Sequence, residues 1–225
     1  MAAKEATRTT PVVFAMGGDP VETGLVASLN RPGGNLTGIA VLGAEIAAKR
    51  LDLLHKLVPT ASSIAMLTGR GSPFTEAEMR GAQTAARALG VRLLVFAVVT
   101  DDELAAAFTS LTDQKAGALL ISGGVRLDAR SDQIIALAAR HAIPAMFYSS
   151  SSVRLGGLAS YGPDLPAAYR LAGIYAGRIL KGEKPADLPV QQSTKFELVF
   201  NLKTAKVLVF EIPPTLLAVA DSVVE

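Results

Sequence analysis

The chain has 225 residues, with 22 basic and 20 acidic side chains and a net charge of +2. That balance argues against the clustered basic surface that binds nucleic acid, and the absence of cysteine excludes disulfide bonds and thiolate metal sites. Half of the residues are hydrophobic but only 5% are aromatic, which suits helices packed on buried parallel strands. We therefore expect an α/β protein that has no nucleic-acid partner.

The first distinctive stretch lies between residues 11 and 41. An apolar run around Val13 predicts a buried strand, and Asp19 followed by Pro20 is typical of the first residues of a helix. We expect that helix to cover 20–29, because the sequence NRPGG that follows contains the strongest helix breakers. In an open parallel sheet, a strand end next to a helix start marks the edge of a ligand crevice.

The middle of the chain alternates regularly between helical and strand patterns. Helices are predicted at 44–57, 74–89, 101–111 and 128–140, and strands at 64–67, 91–98, 118–121 and 143–147. This order predicts a parallel sheet with right-handed crossovers and helices on both faces. Further elements are predicted at 158–161 (extended), 164–180 (helix), 196–200 (extended), 202–208 (helix) and 213–219 (helix).

Loops that follow strands are the candidate ligand site, because ligands of open parallel sheets bind outside the carboxyl ends of the strands. Small residues in these loops let backbone N–H groups approach a ligand closely. The candidates in these loops are Gly18, Asp19, Thr68, Arg70, Ser72, Ser122, Gly123, Tyr148 and Ser150.

Three of these side chains have specific alternatives. Asp19 can hold a ligand ammonium group or serve only as a helix N-cap. Arg70 can bind a carboxylate of the ligand or remain a solvated charge in a loop. Tyr148 ends a strand with Phe147, so the Tyr148 ring can stack on an apolar part of a ligand or be the one of the two that faces the sheet and is core.

Enzyme chemistry has little support in the sequence. His55 and His141 lie on predicted helices outside the strand-end loops, and no nucleophile elbow or phosphate-binding glycine motif is present. Histidine and cysteine clusters that hold metals are also missing. We expect no enzymatic activity, no metal and no cofactor.

Several longer motifs resemble a known family. They are GGDPVETGLVASLNRPGGNLTG from Gly17, GLASYGPD from Gly157, ILKGEKPADLPVQQ from Ile179 and FELVFNLKTA from Phe196. Together they are similar to the substrate-binding components of bacterial ABC importers, some of which are linked to aromatic amino acids. The resemblance implies a type I periplasmic-binding-protein-like fold, in which two α/β lobes hold a ligand between them.

The resemblance also adds residues and boundaries to these expectations. It brings Tyr161 and Asp164 into the candidate site, although Asp164 can equally be a helix N-cap. It implies a complete C-terminal lobe at 42–157, and a remnant of the N-terminal lobe with the hinge at 1–41 and 158–225. Strand 11–16 would then have an unpaired edge, so we expect self-association, with a homodimer as one outcome.

The function that the resemblance implies is the binding of a small solute, an aromatic or branched amino acid being the class to test. The partner of the full-length form would be an ABC permease in the membrane, and the location would be the periplasm. The sequence shows no signal peptide, so the cytoplasm is expected if Met1 is the native start. The alternatives are an effector-binding domain of a transcriptional regulator and a small α/β enzyme.

Overall fold

The computed structural model describes residues 2–41, 44–71 and 73–225. Two compact units divide the chain, a smaller one of residues 1–42 and 163–195 and a larger one of residues 43–162 and 196–225. Both units are α/β in composition, as the sequence predicts.

Helices and strands alternate through most of the described chain. The helices are α1 (Ala2–Ala6), α2 (Ala44–Leu57), α3 (Pro73–Leu89), α4 (Asp101–Asp113), α5 (Val125–Asp128), α6 (Ser131–Arg140), α7 (Ser150–Arg154), α8 (Leu165–Leu180), α9 (Leu202–Val207) and α10 (Pro214–Leu217). The strands are β1 (Val12–Gly17), β2 (Leu36–Val41), β3 (Ser63–Thr68), β4 (Arg92–Ala97), β5 (Ala118–Ile121), β6 (Ala145–Phe147), β7 (Ala159–Pro163), β8 (Gln191–Ser193), β9 (Phe196–Asn201) and β10 (Ser222–Val224).

The smaller unit has a three-stranded sheet in the order β1-β2-β8, with β2 parallel to both neighbours. All six residues of β2 are buried, because apolar clusters cover both of its faces. Leu36 and Ala40 pack in one cluster with Val26, whereas Ile39 packs with Ala168 of α8 in the other. Strand β1 lies at an edge of this sheet.

The larger unit has a seven-stranded sheet in the order β10-β9-β7-β6-β5-β3-β4. Strand β3 lies parallel to β4 and β5, and β6 lies parallel to β5 and β7. Successive residues of β3 point to opposite faces, so Met66 joins one hydrophobic cluster and Leu67 the other. Because both faces of the sheet are covered, the buried strands have continuous apolar sequences.

Most predicted elements are confirmed, two of them with the predicted bounds, α2 at 44–57 and β5 at 118–121. The predicted helix at 20–29 is wrong, since that segment forms turns. Asp19 begins one turn as expected, but Gly24 takes a left-handed φ of 68° that ends it. The predicted helix at 128–140 is α6, which begins three residues later, at Ser131, because Arg130 before it is not helical; the short helix α5 ends at Asp128.

The C-terminal segment lies in a different unit from the one that the sequence suggested. Residues 196–225 belong to the larger unit, where β9 and β10 extend the sheet beyond β7. The resemblance instead implies that they belong with residues 1–41 to a remnant of the N-terminal lobe. Ser150, which is expected in a loop after a strand, instead begins α7, and Ser149 is the N-cap of that helix.

None of the described helices is long and apolar enough to cross a bilayer.

Candidate functional site

The carboxyl ends of β3, β5 and β6 lie side by side in the larger sheet. Thr68 ends β3, Ser122 follows β5 and Tyr148 follows β6, and all three are buried. The backbone N–H of Ser122 donates to the Leu67 carbonyl oxygen over 2.9 Å, which fixes the β5 loop against β3. Three residues predicted from separate loops therefore lie at one edge of one sheet.

A buried carboxylate organises this edge. Glu78 projects from α3, and its Oε2 atom accepts hydrogen bonds from the Ser122 hydroxyl and from the Gly123 N–H, the latter over 3.0 Å. Its Oε1 atom accepts from Nη2 of Arg50, which comes from α2, over 2.9 Å. Neither Arg50 nor Glu78 has any exposed side-chain area. The ion pair therefore ties two helices to the loop after β5.

Aromatic rings complete the arrangement. The Arg50 guanidinium carbon lies 5.2 Å from the centre of the Tyr148 ring, a cation–π distance. Phe74 meets Tyr148 edge to face at 6.1 Å. A Cβ atom on Gly123 would lie 2.8 Å from the Tyr148 ring, so only glycine fits there without displacing it. We call Arg50, Glu78, Ser122, Gly123 and Tyr148 the strand-end cluster.

Burial of Glu78 makes its ionised form costly. Desolvation raises the pKa of this carboxyl, although the Arg50 charge and the hydrogen bonds from Ser122 and Gly123 oppose the rise. Asp128 lies at the end of α5, where its side chain keeps contact with solvent. The protein around its carboxyl still displaces enough water for desolvation to act. Desolvation, with the nearby Glu78 charge as a second cause, raises the pKa of Asp128 from 3.8 to about 6.

A raised pKa predicts the effect of replacing Asp128. The folded protein binds the proton of the Asp128 carboxyl more tightly than the unfolded chain does. The ionised carboxylate therefore destabilises the fold, fully above pH 6 and progressively less as the pH falls toward 3.8. We expect Asp128→Asn to raise the free energy of unfolding at pH 8 by about 1 kcal/mol, a value that allows for solvent screening. Urea unfolding at pH 8 and pH 4 measures this.

The matched control for this variant is Asp187→Asn, an exposed carboxylate of the smaller unit. It should change the free energy of unfolding little at either pH. An equal gain from Asp128→Asn at both pH values would contradict the assigned cause.

The other candidates of the larger unit lie outside the strand-end cluster. Arg70 pairs with Glu103 over 3.0 Å and keeps 60% of its side chain exposed. Ser150 is the first residue of α7. Tyr161 stacks on Phe196 at 6.1 Å, where burial raises the pKa of its hydroxyl. Ser72 lies outside the described residues.

The candidates of the smaller unit sit in capping positions. Asp19 accepts a hydrogen bond from the Val21 N–H over 2.7 Å, and the neighbouring Gly18 has a φ of 93°. Asp164 is the N-cap of α8, accepting from the Ala167 N–H over 2.9 Å and from Lys195 over 3.0 Å. These bonds hold the pKa of the Asp164 carboxyl below its usual value, with the Ala167 bond as the largest cause. Ligand contact by all these residues stays a prediction.

A cavity of about 730 Å³ lies within the smaller unit, away from these residues. Residues of α1 and the loops around Gly24 and Gly33 line it. None of the predicted site residues lines it, and most of the residues that do are exposed or half-buried.

The site residues predicted from the sequence do not include Arg50, Glu78 and Asp128. A signal for the first two was present, because Arg50 stands one helical turn from the apolar residues Ile46 and Leu54, on the buried face of α2. Glu78 likewise stands four residues before the buried Ala82. Opposite charges on the apolar stripes of successive helices predict a buried ion pair. Within the described residues, no group of acidic or histidine side chains is placed to hold a metal ion.

Known proteins resemble this chain over nearly its full length. The family described as ABC transporter substrate binding protein matches residues 1–224. A tyrosine-binding protein of Clostridioides difficile is 28% identical over 208 residues, which are 92% of this chain and 59% of that protein. The chain thus spans about three fifths of the curated relative that it matches.

Two solved structures show the same fold. The ABC domain from Streptococcus pneumoniae, solved in complex with L-Trp, has a TM-score of 0.85 and 28% identity, covering 98% of this chain and 74% of that one. A conserved domain protein of Vibrio cholerae has a TM-score of 0.83 and 27% identity, covering 99% and 74%. The expected type I periplasmic-binding-protein-like class is confirmed. The chain belongs to the ABC transporter substrate-binding protein family.

Proposed function

We propose that this protein binds a small solute, an amino acid, at the carboxyl edge of the larger sheet and serves an ABC importer. The observation that carries the proposal is the strand-end cluster, where groups from α2, α3 and the loops after β5 and β6 converge. Such edges are where ligands of parallel α/β sheets bind. The family is one of binding proteins, which favours binding over the enzyme and regulator alternatives.

The ligand class rests on the relatives together with the cluster. One relative is a tyrosine-binding protein, and a solved structure of similar fold contains L-Trp. Tyr148 and Phe74 offer aromatic surface at the same edge, and aromatic pairs favour stacked or edge-to-face packing. Tyrosine and tryptophan are therefore the first solutes to test, followed by branched amino acids.

The family supports a proposal for the partner and for the location. A membrane permease would receive the solute, and family members work outside the cytoplasm, so we propose the periplasm. Self-association through β1 also remains a proposal. Its support is that β1 lies at a sheet edge, where unpaired backbone groups can pair with another chain.

Calorimetry with a panel of amino acids and sugars tests the proposed function. We expect an aromatic amino acid to bind best, and Tyr148→Leu to weaken that binding roughly tenfold by removing the ring contact. The matched control is Tyr169→Leu, since Tyr169 is a 65% exposed ring on α8. Binding of a sugar but of no amino acid would overturn the ligand class. Equal affinity in both variants would overturn the site.

A further inference from the structure

Arg50 is a buried cation with unused hydrogen-bond donors. Its side chain is fully buried, and its Nη2 atom donates to Oε1 of Glu78 over 2.9 Å. Within the described part of the chain, the Nε and Nη1 atoms have no hydrogen-bond partner. A buried donor without a partner costs about 1–3 kcal/mol, and more when it is charged. Proteins keep such groups where something else satisfies them.

The neighbours of Arg50 leave those donors open. Glu78 directs one oxygen to Arg50 and the other to Ser122 and Gly123, so three residues fix its orientation. Tyr148 contacts the guanidinium at 5.2 Å through its ring. A ring over a guanidinium supplies electrostatic attraction but no hydrogen-bond acceptor for the N–H groups. Glu78 and the Tyr148 ring therefore both hold Arg50 in place without accepting a hydrogen bond from its Nε or Nη1.

We infer that Arg50 recognises the carboxylate of the bound amino acid through N–H groups that Glu78 leaves free. This inference rests on the proposed function and identifies the group of the solute that the strand-end cluster recognises. Arginine suits the task because hydrogen bonds between a guanidinium and a carboxylate are short and strong. Since Arg50 is covered in the structure, side chains at the edge must move for the carboxylate to reach it, so association should be slower than diffusion.

Asp128 explains why an amino acid fits better than a simple organic acid. Its carboxylate interacts electrostatically with both Glu78 and Arg50. A bare carboxylate ligand would be attracted by Arg50 and repelled by Asp128, whereas the ammonium group of an amino acid is attracted by Asp128.

The test compares ligands and protein variants together. The ligands are L-tyrosine and L-tyrosinamide, which differ in the carboxylate. The variants are Glu78→Gln, which keeps Arg50, and Arg50→Met with Glu78→Gln, which removes both buried charges and leaves an amide oxygen for Ser122 and Gly123. Thermal melts by circular dichroism confirm that each variant folds, and calorimetry gives the affinities.

In the wild type and in Glu78→Gln, we expect the acid to bind at least about tenfold more tightly than the amide, the value of one charge-assisted hydrogen bond. The double variant should bind both ligands equally, at the level of the amide. If the double variant keeps the wild-type preference for the acid, Arg50 has a structural role alone and the inference is overturned.

Failure of the proposed function would look different. The wild type would then bind neither ligand nor any other amino acid. In that case the melting temperature of the Asp128→Asn variant is measured with and without millimolar benzoate. The same measurement is made on a variant that carries Arg50→Met and Glu78→Gln in addition to Asp128→Asn. A rise in the melting temperature that requires Arg50 supports carboxylate recognition at this site. No rise in Asp128→Asn itself overturns it.

Discussion

Replacing Glu78 by alanine is expected to lower the free energy of unfolding by about 3–5 kcal/mol. The loss is large because Arg50 would remain fully buried without its counter-charge. The Ser122 hydroxyl and the Gly123 N–H would lose their shared acceptor at the same time. Urea unfolding followed by circular dichroism at neutral pH measures the change.

The double variant Arg50→Met with Glu78→Gln is the informative comparison. Removing both charges avoids an unpaired buried ion, so we expect most of the lost stability to return. An exposed ion pair gives the control. Arg178 and Glu183 are each 45% exposed, so solvent screens their attraction and Glu183→Ala should have little effect on stability. If the double variant is as unstable as Glu78→Ala, the unpaired charge is not the cause.

Replacing Gly162 by alanine should be the most damaging of the small backbone changes. A Cβ atom there would fall on the carbonyl oxygen of Tyr148, where β6 and β7 approach each other. Backbone cannot move aside as a flexible side chain can, so the strands must separate and displace Tyr148. We expect a loss of at least about 3 kcal/mol, in the range of severe overpacking.

Gly173→Ala is the matched control for that variant. Gly173 lies in α8, and a Cβ there would meet nothing within 4 Å. Alanine in a helix is favoured over glycine by roughly 0.5–1 kcal/mol, so this variant should be slightly more stable than the wild type. The melting temperatures of the two variants decide the point. Similar values for both would mean that β6 and β7 tolerate the extra atom.

Local patterns in the sequence predict the fold well where burial repeats regularly. The apolar face of α2 and the continuous apolar run of β5 give the observed bounds because both faces of the larger sheet are covered. The same reasoning fails at 20–29, where Gly24 takes a left-handed conformation that the apolar spacing does not reveal. The placement of β9 beside β7 depends on contacts distant in sequence, which no local pattern encodes.

The candidate site is predictable in part for a related reason. Ser122, Gly123 and Tyr148 follow strands, so the rule for strand ends finds them. Arg50 and Glu78 lie on helices and are 28 residues apart, so their pairing depends on how α2 packs against α3. Asp19 and Asp164 follow the common use of aspartate as a cap, which the sequence could not separate from a ligand role.

The location of a bound solute tests the central claim most directly. A crystal structure of this protein with L-tyrosine or L-tryptophan would show it. We predict that the solute lies at the carboxyl edge of the larger sheet, with its carboxylate within hydrogen-bond distance of Arg50 and its ring beside Tyr148. A solute bound away from β3, β5 and β6, with the strand-end cluster unchanged, would contradict the claim.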